Sequence, residues 1–370
     1  MKIGILITSI SNFGKKGFYN AQEIGLAKAI SKLVDSVIVY KLVSLKCEAE
    51  NTGVKGYNNI KVNLIPAKNK GINGFLDTSI LEKEMTALIH FSDTQFSVPK
   101  AFAWCSANKV SYIPYIGVIE SHSTNRIKKT ITDMMFMRNL AVYKKCFCYA
   151  KTPIVKEKLN EAGVRGVEVT PVGLDIDLLN KNYGKLLKSS AKRKYGYAES
   201  DRIILFIGRL IDEKQPIKMI ELFAKVRKKS KDFKLLMIGT GVLQGRVEEK
   251  ITELDVSDAV KRIDSLPNQH IWEIYRLADI FVNLNKQEIF GMAILEAMFY
   301  ECRVVARKAP GPDFIIQDGI SGNLVENDDE VVDKILHSNI KTYKAHERII
   351  DNFVWDNMAN TVYRRLCNEQ

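Results

Sequence analysis

The sequence predicts an α/β protein of two domains, each a parallel sheet covered by helices, and three observations carry that prediction. Strand-like apolar runs alternate with helical patterns along most of the 370 residues, as βαβ units require. That length exceeds one ordinary core and suits two domains. A strand followed by a glycine-bearing loop and a helix appears near residue 2 and again near residue 203. The composition agrees: 46% hydrophobic and 26% charged residues, with 22 Gly and 9 Pro, describe a globular chain rather than a disordered, collagen-like or disulfide-stapled one.

In the first half the predicted strands are KIGILIT (2–8), SVIVY (36–40), IKVNLI (60–65), ALIHF (87–91) and YIPYIGV (112–118). After SISNFGKKGFY, Asn20 is placed to cap a helix with Glu23 reaching back to it, and Leu26, Ile30 and Leu33 line the buried face. The stretch 125–145 alternates basic residues with Ile127, Ile131, Met135 and Leu140. It reads either as a core helix with a solvated basic face or as a helix lying on an anionic bilayer.

The second half repeats the design with IILFIGR (203–209), a helix opened by Pro216, then KLLMIG (234–239), DAVKRI (258–263), DIFVNLN (279–285) and RVVA (303–306). Two Rossmann-like halves result. Residues 170–196 read as a linker with a basic helical lead-in, so the first domain is set at 1–178 and the second at 179–350. Residues 351–370 are expected to pack back toward the first domain, because Trp355, Met358, Val362 and Leu366 form one apolar helical stripe.

Formal charge is +12, and most of the excess lies early: residues 1–180 hold 24 Lys and Arg against 15 Asp and Glu, residues 181–370 hold 31 against 28. Such an excess fits nucleic acid, an anionic membrane surface or acidic small molecules. Nucleic acid is excluded as a partner, since basic residues are not interleaved with aromatics and no helix-turn-helix pattern appears. The six cysteines are scattered without a CxxC pair or a nearby His at zinc-ligand spacing, so they read as reduced core thiols. No apolar run approaches the roughly 20 residues of a membrane-spanning helix. The first run breaks at Thr8, Ser9, Ser11 and Asn12 without a cleavage site, so a cytoplasmic location is expected, extending to the inner face of the membrane.

Open α/β sheets bind ligands outside the carboxyl ends of their strands, which singles out four loops. In SISNFGKKGFYN, Gly14 and Gly17 stand between strand and helix, where bare backbone admits a phosphate; a plain turn explains the spacing equally well. In GRLIDEK, which opens at Gly208, Arg209 and Lys214 are spaced to converge on a diphosphate, or else are two solvated charges. In MIGTGVL, Gly239 and Gly241 flank a strand end and by themselves mark a turn. In NKQEIFGMAILEAM, Glu288 stands at a strand end and Glu296 eight residues on, with Phe290 and Gly291 opening a helix whose amides at Gly291 and Met292 suit anionic oxygens. Glu296 is then a costly buried carboxylate unless a hydroxyl-rich ligand meets it, or else it points to water or caps an amide.

Taken in order, ILFIGRLIDEK, LLMIGTG, LADIFVNLNKQEIFGMAILEAM, APGPDFIIQDGISGNLV and FVWDNMA resemble glycosyltransferase family 4, the retaining nucleotide-sugar transferases of GT-B architecture, in which two Rossmann-like domains face each other across a cleft. The resemblance implies that Glu288 touches the donor sugar hydroxyls and Glu296 the ribose, with Phe290, Gly291 and Met292 offering backbone to sugar and phosphate. It implies that Arg209 and Lys214 stabilise the departing diphosphate, that Gly17 closes on it, and that no metal or other cofactor takes part. A His after the YIPYIGV strand is expected beside the sugar; IESHS offers Glu120 and His122, and His122 is the better candidate because a neutral imidazole bonds a hydroxyl without adding charge. The sequence departs from the family at FYECRVVA, where Glu301 and Arg303 stand in place of Gly and Pro.

The implied activity is hexosyl transfer from a nucleotide-sugar, UDP-linked in preference to GDP-linked, to a glycan or lipid-linked acceptor, as in bacterial surface polysaccharide assembly. Peripheral contact with an anionic membrane goes with it. A nucleotide-sugar epimerase or sugar phosphorylase of the same architecture, and a non-catalytic nucleotide-sugar-binding protein, are the alternatives.

Overall fold

The computed structural model describes residues 1–10, 21–119, 126–180 and 184–368. Within these, one compact unit comprises 1–10, 21–119, 126–175 and 354–368, and a second comprises 176–180 and 184–353.

The first unit runs β1 (Lys2–Ile7), α1 (Gln22–Ser31), β2 (Ser36–Ser44), β3 (Glu50–Val54), β4 (Tyr57–Ala67), β5 (Asn69–Lys70), β6 (Asn73–Gly74), β7 (Ala87–Phe91), α2 (Val98–Asn108), β8 (Ser111–Ile116), α3 (Arg126–Tyr143), β9 (Cys148–Ala150), α4 (Pro153–Glu161) and β10 (Val167–Val169). Its main sheet has the order β10-β9-β8-β7-β1-β2-β4-β3. Every pairing is parallel except β3 on β4, which forms an antiparallel edge. Strands β1, β7 and β8 are buried almost throughout, as sheets covered on both faces require, and this is why they read as unbroken apolar runs. Thr152 caps α4 by accepting the Val155 amide, with Pro153 at the first helical position. Helix α1 starts differently from the expected capping box. Asn20 lies outside the described residues, Ala21 holds the N-cap position, and Glu23 turns inward to a 2.6 Å ion pair with Lys41, a stronger partner than a backbone amide.

The second unit runs α5 (Ile176–Asn180), α6 (Lys188–Lys194), β11 (Arg202–Ile207), α7 (Pro216–Lys229), β12 (Phe233–Ile238), α8 (Gln244–Glu253), β13 (Val260–Ile263), α9 (Ile271–Leu277), β14 (Ile280–Asn283), α10 (Met292–Phe299), β15 (Arg303–Arg307), α11 (Pro310–Ile315), β16 (Asn323–Val325), α12 (Asp328–His337) and α13 (Thr342–Asn352). Its six strands are all parallel, in the order β13-β12-β11-β14-β15-β16. The order reverses direction between β11 and β14, which makes that gap the switch point of the sheet. The first unit has the same reversal between β1 and β7. Phe206, Phe223 and Phe233 anchor the core of the second unit, and Tyr40, Tyr143 and Leu88 that of the first.

Helix α14 (Trp355–Asn368) belongs to the first unit, where it packs on α1. It buries Trp355, Met358, Ala359, Val362 and Leu366, the stripe its periodicity predicts plus one alanine. In α3 the burial differs from the expected stripe: Leu140 is buried, but Ile131, Met134 and Met137 are each more than half exposed.

Candidate functional site

The loops that leave β11 and β14 meet at the switch point of the second unit. After β11 the chain passes Gly208, exposes Arg209, buries Leu210 and makes one tight turn at Asp212–Lys214. Gln215 then takes a left-handed conformation and Pro216 opens α7. That turn carries Lys214 back toward Gly208, where an added Cβ would make only an ordinary contact, 3.6 Å from Lys214 Cγ.

After β14 the loop is shaped by its own side chains. Asn283 Oδ1 accepts the Asn285 amide at 2.9 Å, and Asn285 Oδ1 accepts the Gln287 amide at 3.0 Å, two successive Asx turns. These aim both side-chain NH2 groups at Glu288 Oε2, at 3.2 and 3.3 Å. Lys214 Nζ donates to the same oxygen at 2.6 Å. One carboxylate oxygen therefore takes three donors, while Oε1 has no partner among the described residues. Glu288 is held rigidly and still offers an acceptor, which is what orienting a ligand hydroxyl demands. Sequence reasoning did not find Asn283 and Asn285; their Asn-x-Asn spacing just before Glu288 was the available signal.

Gly291 sits at the N-cap of α10 with φ of 102°, a conformation that favours glycine. The amides of Met292 and Ala293 open α10 and suit anionic oxygens, whereas that of Ile294 already donates to the Gly291 carbonyl at 2.9 Å. Phe290, half-buried, sets its ring edge against Phe353 at 6.4 Å. Glu296 lies within α10 at 5% exposure rather than pointing to water: Tyr275 of α9 donates its hydroxyl to Oε2 at 2.8 Å. Burial pushes the Glu296 carboxyl up to about 7.

Gly239 and Gly241 have a packing reason to be glycine. A Cβ on Gly239, whose φ is 140°, would lie 1.9 Å from the Gly208 carbonyl oxygen, and one on Gly241 2.3 Å from that of Leu210. They let the loop after β12 lie against the loop after β11. Thus Gly208, Lys214, Gly239, Gly241, Glu288 and Gly291 come together, Arg209 stands exposed on the same loop, and Glu296 is one helix deeper. Gly14, Gly17, Glu120 and His122 lie outside the described residues. Among the described residues, no cluster of His, Cys, Asp or Glu is placed to hold a metal ion, and no helix is long and apolar enough to cross a membrane.

Residues 188–352 match the family described as "Glycosyl transferases group 1". The chain is 27% identical over 165 residues to D-inositol 3-phosphate glycosyltransferase of Segniliparus rotundus, covering 44% of this chain and 36% of that protein. It is 24% identical over 279 residues, 70% of each chain, to an uncharacterized glycosyltransferase of Methanocaldococcus jannaschii. The chain thus spans only about a third of the first of these relatives. Its backbone follows that of Anabaena HepE, solved with UDP and glucose, with a TM-score of 0.70 over 99% of both chains at 16% identity. The fold is therefore GT-B, built of two Rossmann-like units.

Proposed function

We propose that this chain is a retaining glycosyltransferase that moves a hexose from a UDP-sugar to a glycan or lipid-linked acceptor without a metal ion, in surface polysaccharide assembly. The observation that carries the reading is the Lys214–Glu288 pair at the β11/β14 switch point, with Asn283 and Asn285 fixing the carboxylate. In this reading Glu288 Oε1 accepts a sugar hydroxyl, and Glu296 accepts from the ribose beside the Tyr275 hydroxyl. The amides at Gly291 and Met292 receive phosphate oxygens.

The acceptor oxygen bonds to the anomeric carbon as the bond from that carbon to the UDP oxygen breaks. The electron pair of the broken bond stays on the diphosphate, which takes up the acceptor proton on the same face of the sugar. Arg209 and Lys214 meet the charge that develops there, the part a divalent ion would otherwise play. His122 is assigned a sugar hydroxyl. The exposed Ile131, Met134 and Met137 of α3, near Arg138, support a peripheral meeting with an anionic bilayer that carries a lipid-linked acceptor.

The test is hydrolysis of a panel of nucleotide-sugars by the full chain in the presence of EDTA. One UDP-sugar should be turned over, Lys214→Ala and Glu288→Ala should each abolish the reaction, and Arg209→Ala should lower kcat more than it raises KM. If no nucleotide-sugar is cleaved and neither UDP nor GDP shifts the melting temperature, the reading fails.

A further inference from the structure

Just past the carboxyl ends of β7, β8 and β9, the first unit sets Asp93, Gly117 and Lys151 side by side. The Lys151 stem crosses Gly117, where an added Cβ would lie 2.4 Å from Lys151 Cδ. Its ammonium ends over the rings of Phe91 and Tyr115, 5.3 and 5.0 Å from their centroids, and 3.9 Å from Asp93 Oδ2. No hydrogen bond spans 3.9 Å, and no other described residue supplies one to Nζ.

One oxygen of Asp93 is committed elsewhere, and the other faces Lys151 only across the 3.9 Å of the ion pair. Its Oδ1 accepts the amides of Gly117 and Val118 at 2.5 and 3.0 Å, its carbonyl accepts the Tyr143 hydroxyl at 2.6 Å, and its backbone is held at φ of 33°. Strained backbone of this kind persists where its surroundings over-determine it.

The Lys151 side chain is only 15% exposed, and among the described residues its three N–H bonds have no acceptor within hydrogen-bond distance. Two aromatic faces hold it in place, but a ring face does not replace hydrogen-bonding oxygens. A fixed, half-desolvated ammonium at the ligand-binding end of an open sheet is matched by an anion. The half of the chain that carries it is the more basic one.

We infer that Lys151 is the anion-recognising group of the acceptor subsite, and that the acceptor carries a phosphate or a carboxylate. The word acceptor rests on the glycosyltransferase reading; the anion contact stands apart from it.

The experiment is calorimetric titration of the full chain, with and without saturating UDP, using glycerol 3-phosphate, succinate and neutral glycerol as probes. At least one anion should bind and glycerol should not. Lys151→Met, which keeps the stem between the rings, should weaken that anion about tenfold or more, and Lys151→Arg should restore it. UDP affinity should stay within about twofold in both variants. Gly117→Ala, which displaces the stem but keeps the charge, should weaken the anion as well.

The inference is overturned if neither anion binds the unaltered chain, if glycerol binds as well as its phosphate, or if Lys151→Met leaves anion affinity unchanged. It is also overturned if Lys151→Met weakens UDP and spares the probes, since Lys151 would then contact the donor diphosphate. Failure of the unaltered chain to bind UDP would count against the nucleotide-sugar reading alone, because the titrations without UDP still report on Lys151.

Discussion

Both units follow the same strand order about their switch points, and each sets a lysine and a carboxylate just past its strand ends, but the two pairs are in opposite states. In the second unit Lys214 and Glu288 are 2.6 Å apart and two asparagines complete the carboxylate. In the first, Lys151 and Asp93 are 3.9 Å apart, with one carboxylate oxygen spent on two backbone amides and the ammonium hydrogen-bonded to none of the described residues. The difference teaches that one fold can present a pre-organised acceptor of hydrogen bonds in one half and an unfilled donor in the other. The buried titrating groups also differ. The first unit buries a neutral His90, bonded to Thr8 at 3.1 Å and Tyr112 at 2.7 Å, and the second buries Glu296.

The contrast can be broken most severely at Glu288. Glu288→Ala should reduce kcat/KM for transfer by about 10²–10³, while Asp93→Asn, which keeps an oxygen for the two amides, should cost less than about tenfold in the same assay. Next in size is stability. Gly239→Ala should destabilise the second unit by about 3 kcal/mol or more, since its Cβ meets fixed backbone at a positive φ, whereas Gly117→Ala meets the Lys151 side chain, which can be pushed aside where backbone cannot, and should cost about 1 kcal/mol or less. Urea denaturation followed by hydrogen exchange in each unit separates the two.

Opposite pH responses sharpen the comparison further. Burial drives the His90 pKa down from 6.5 to about 3, so the unfolded chain takes up a proton the folded one refuses, and the first unit should lose stability as pH falls below about 6.5. Burial raises Glu296 from 4.5 to about 7, so the folded state holds a proton the unfolded one releases. The second unit should therefore lose up to about 3 kcal/mol as pH climbs from 4.5 to 7, and Glu296→Gln should remove that slope in denaturation curves taken across the range. The smallest effect is expected at the surface of the first unit. Met134→Ser should change unfolding free energy by less than about 0.5 kcal/mol yet reduce co-sedimentation with anionic vesicles.

The sequence was legible where long apolar runs cross a covered sheet, as in β1, β2, β7, β8, β11, β12, β14 and β15. It was not legible at β3, β5 and β6, because ENTGV and its neighbours are polar and mostly exposed. Three-residue strands such as β9, β10 and β16 leave too little pattern to detect. At the site, Lys214 and Glu288 could be assigned to one ligand in advance because each follows a strand end, where an open sheet collects its ligands, but their direct ion pair could not be foreseen. Tyr275 on Glu296 could not, since it arrives from a different helix. Lys151 was silent for a similar reason: its meaning comes from Phe91, Asp93 and Tyr115 on two other strands and their loops.

The central claim, a UDP-sugar site at the β11/β14 switch point, is tested most directly by hydrogen exchange of the full chain with and without saturating UDP. Protection should concentrate in 207–215, 238–242 and 285–297, with little change across the strands of the first unit. Protection absent from all three segments, in a chain shown to be saturated, would contradict the account.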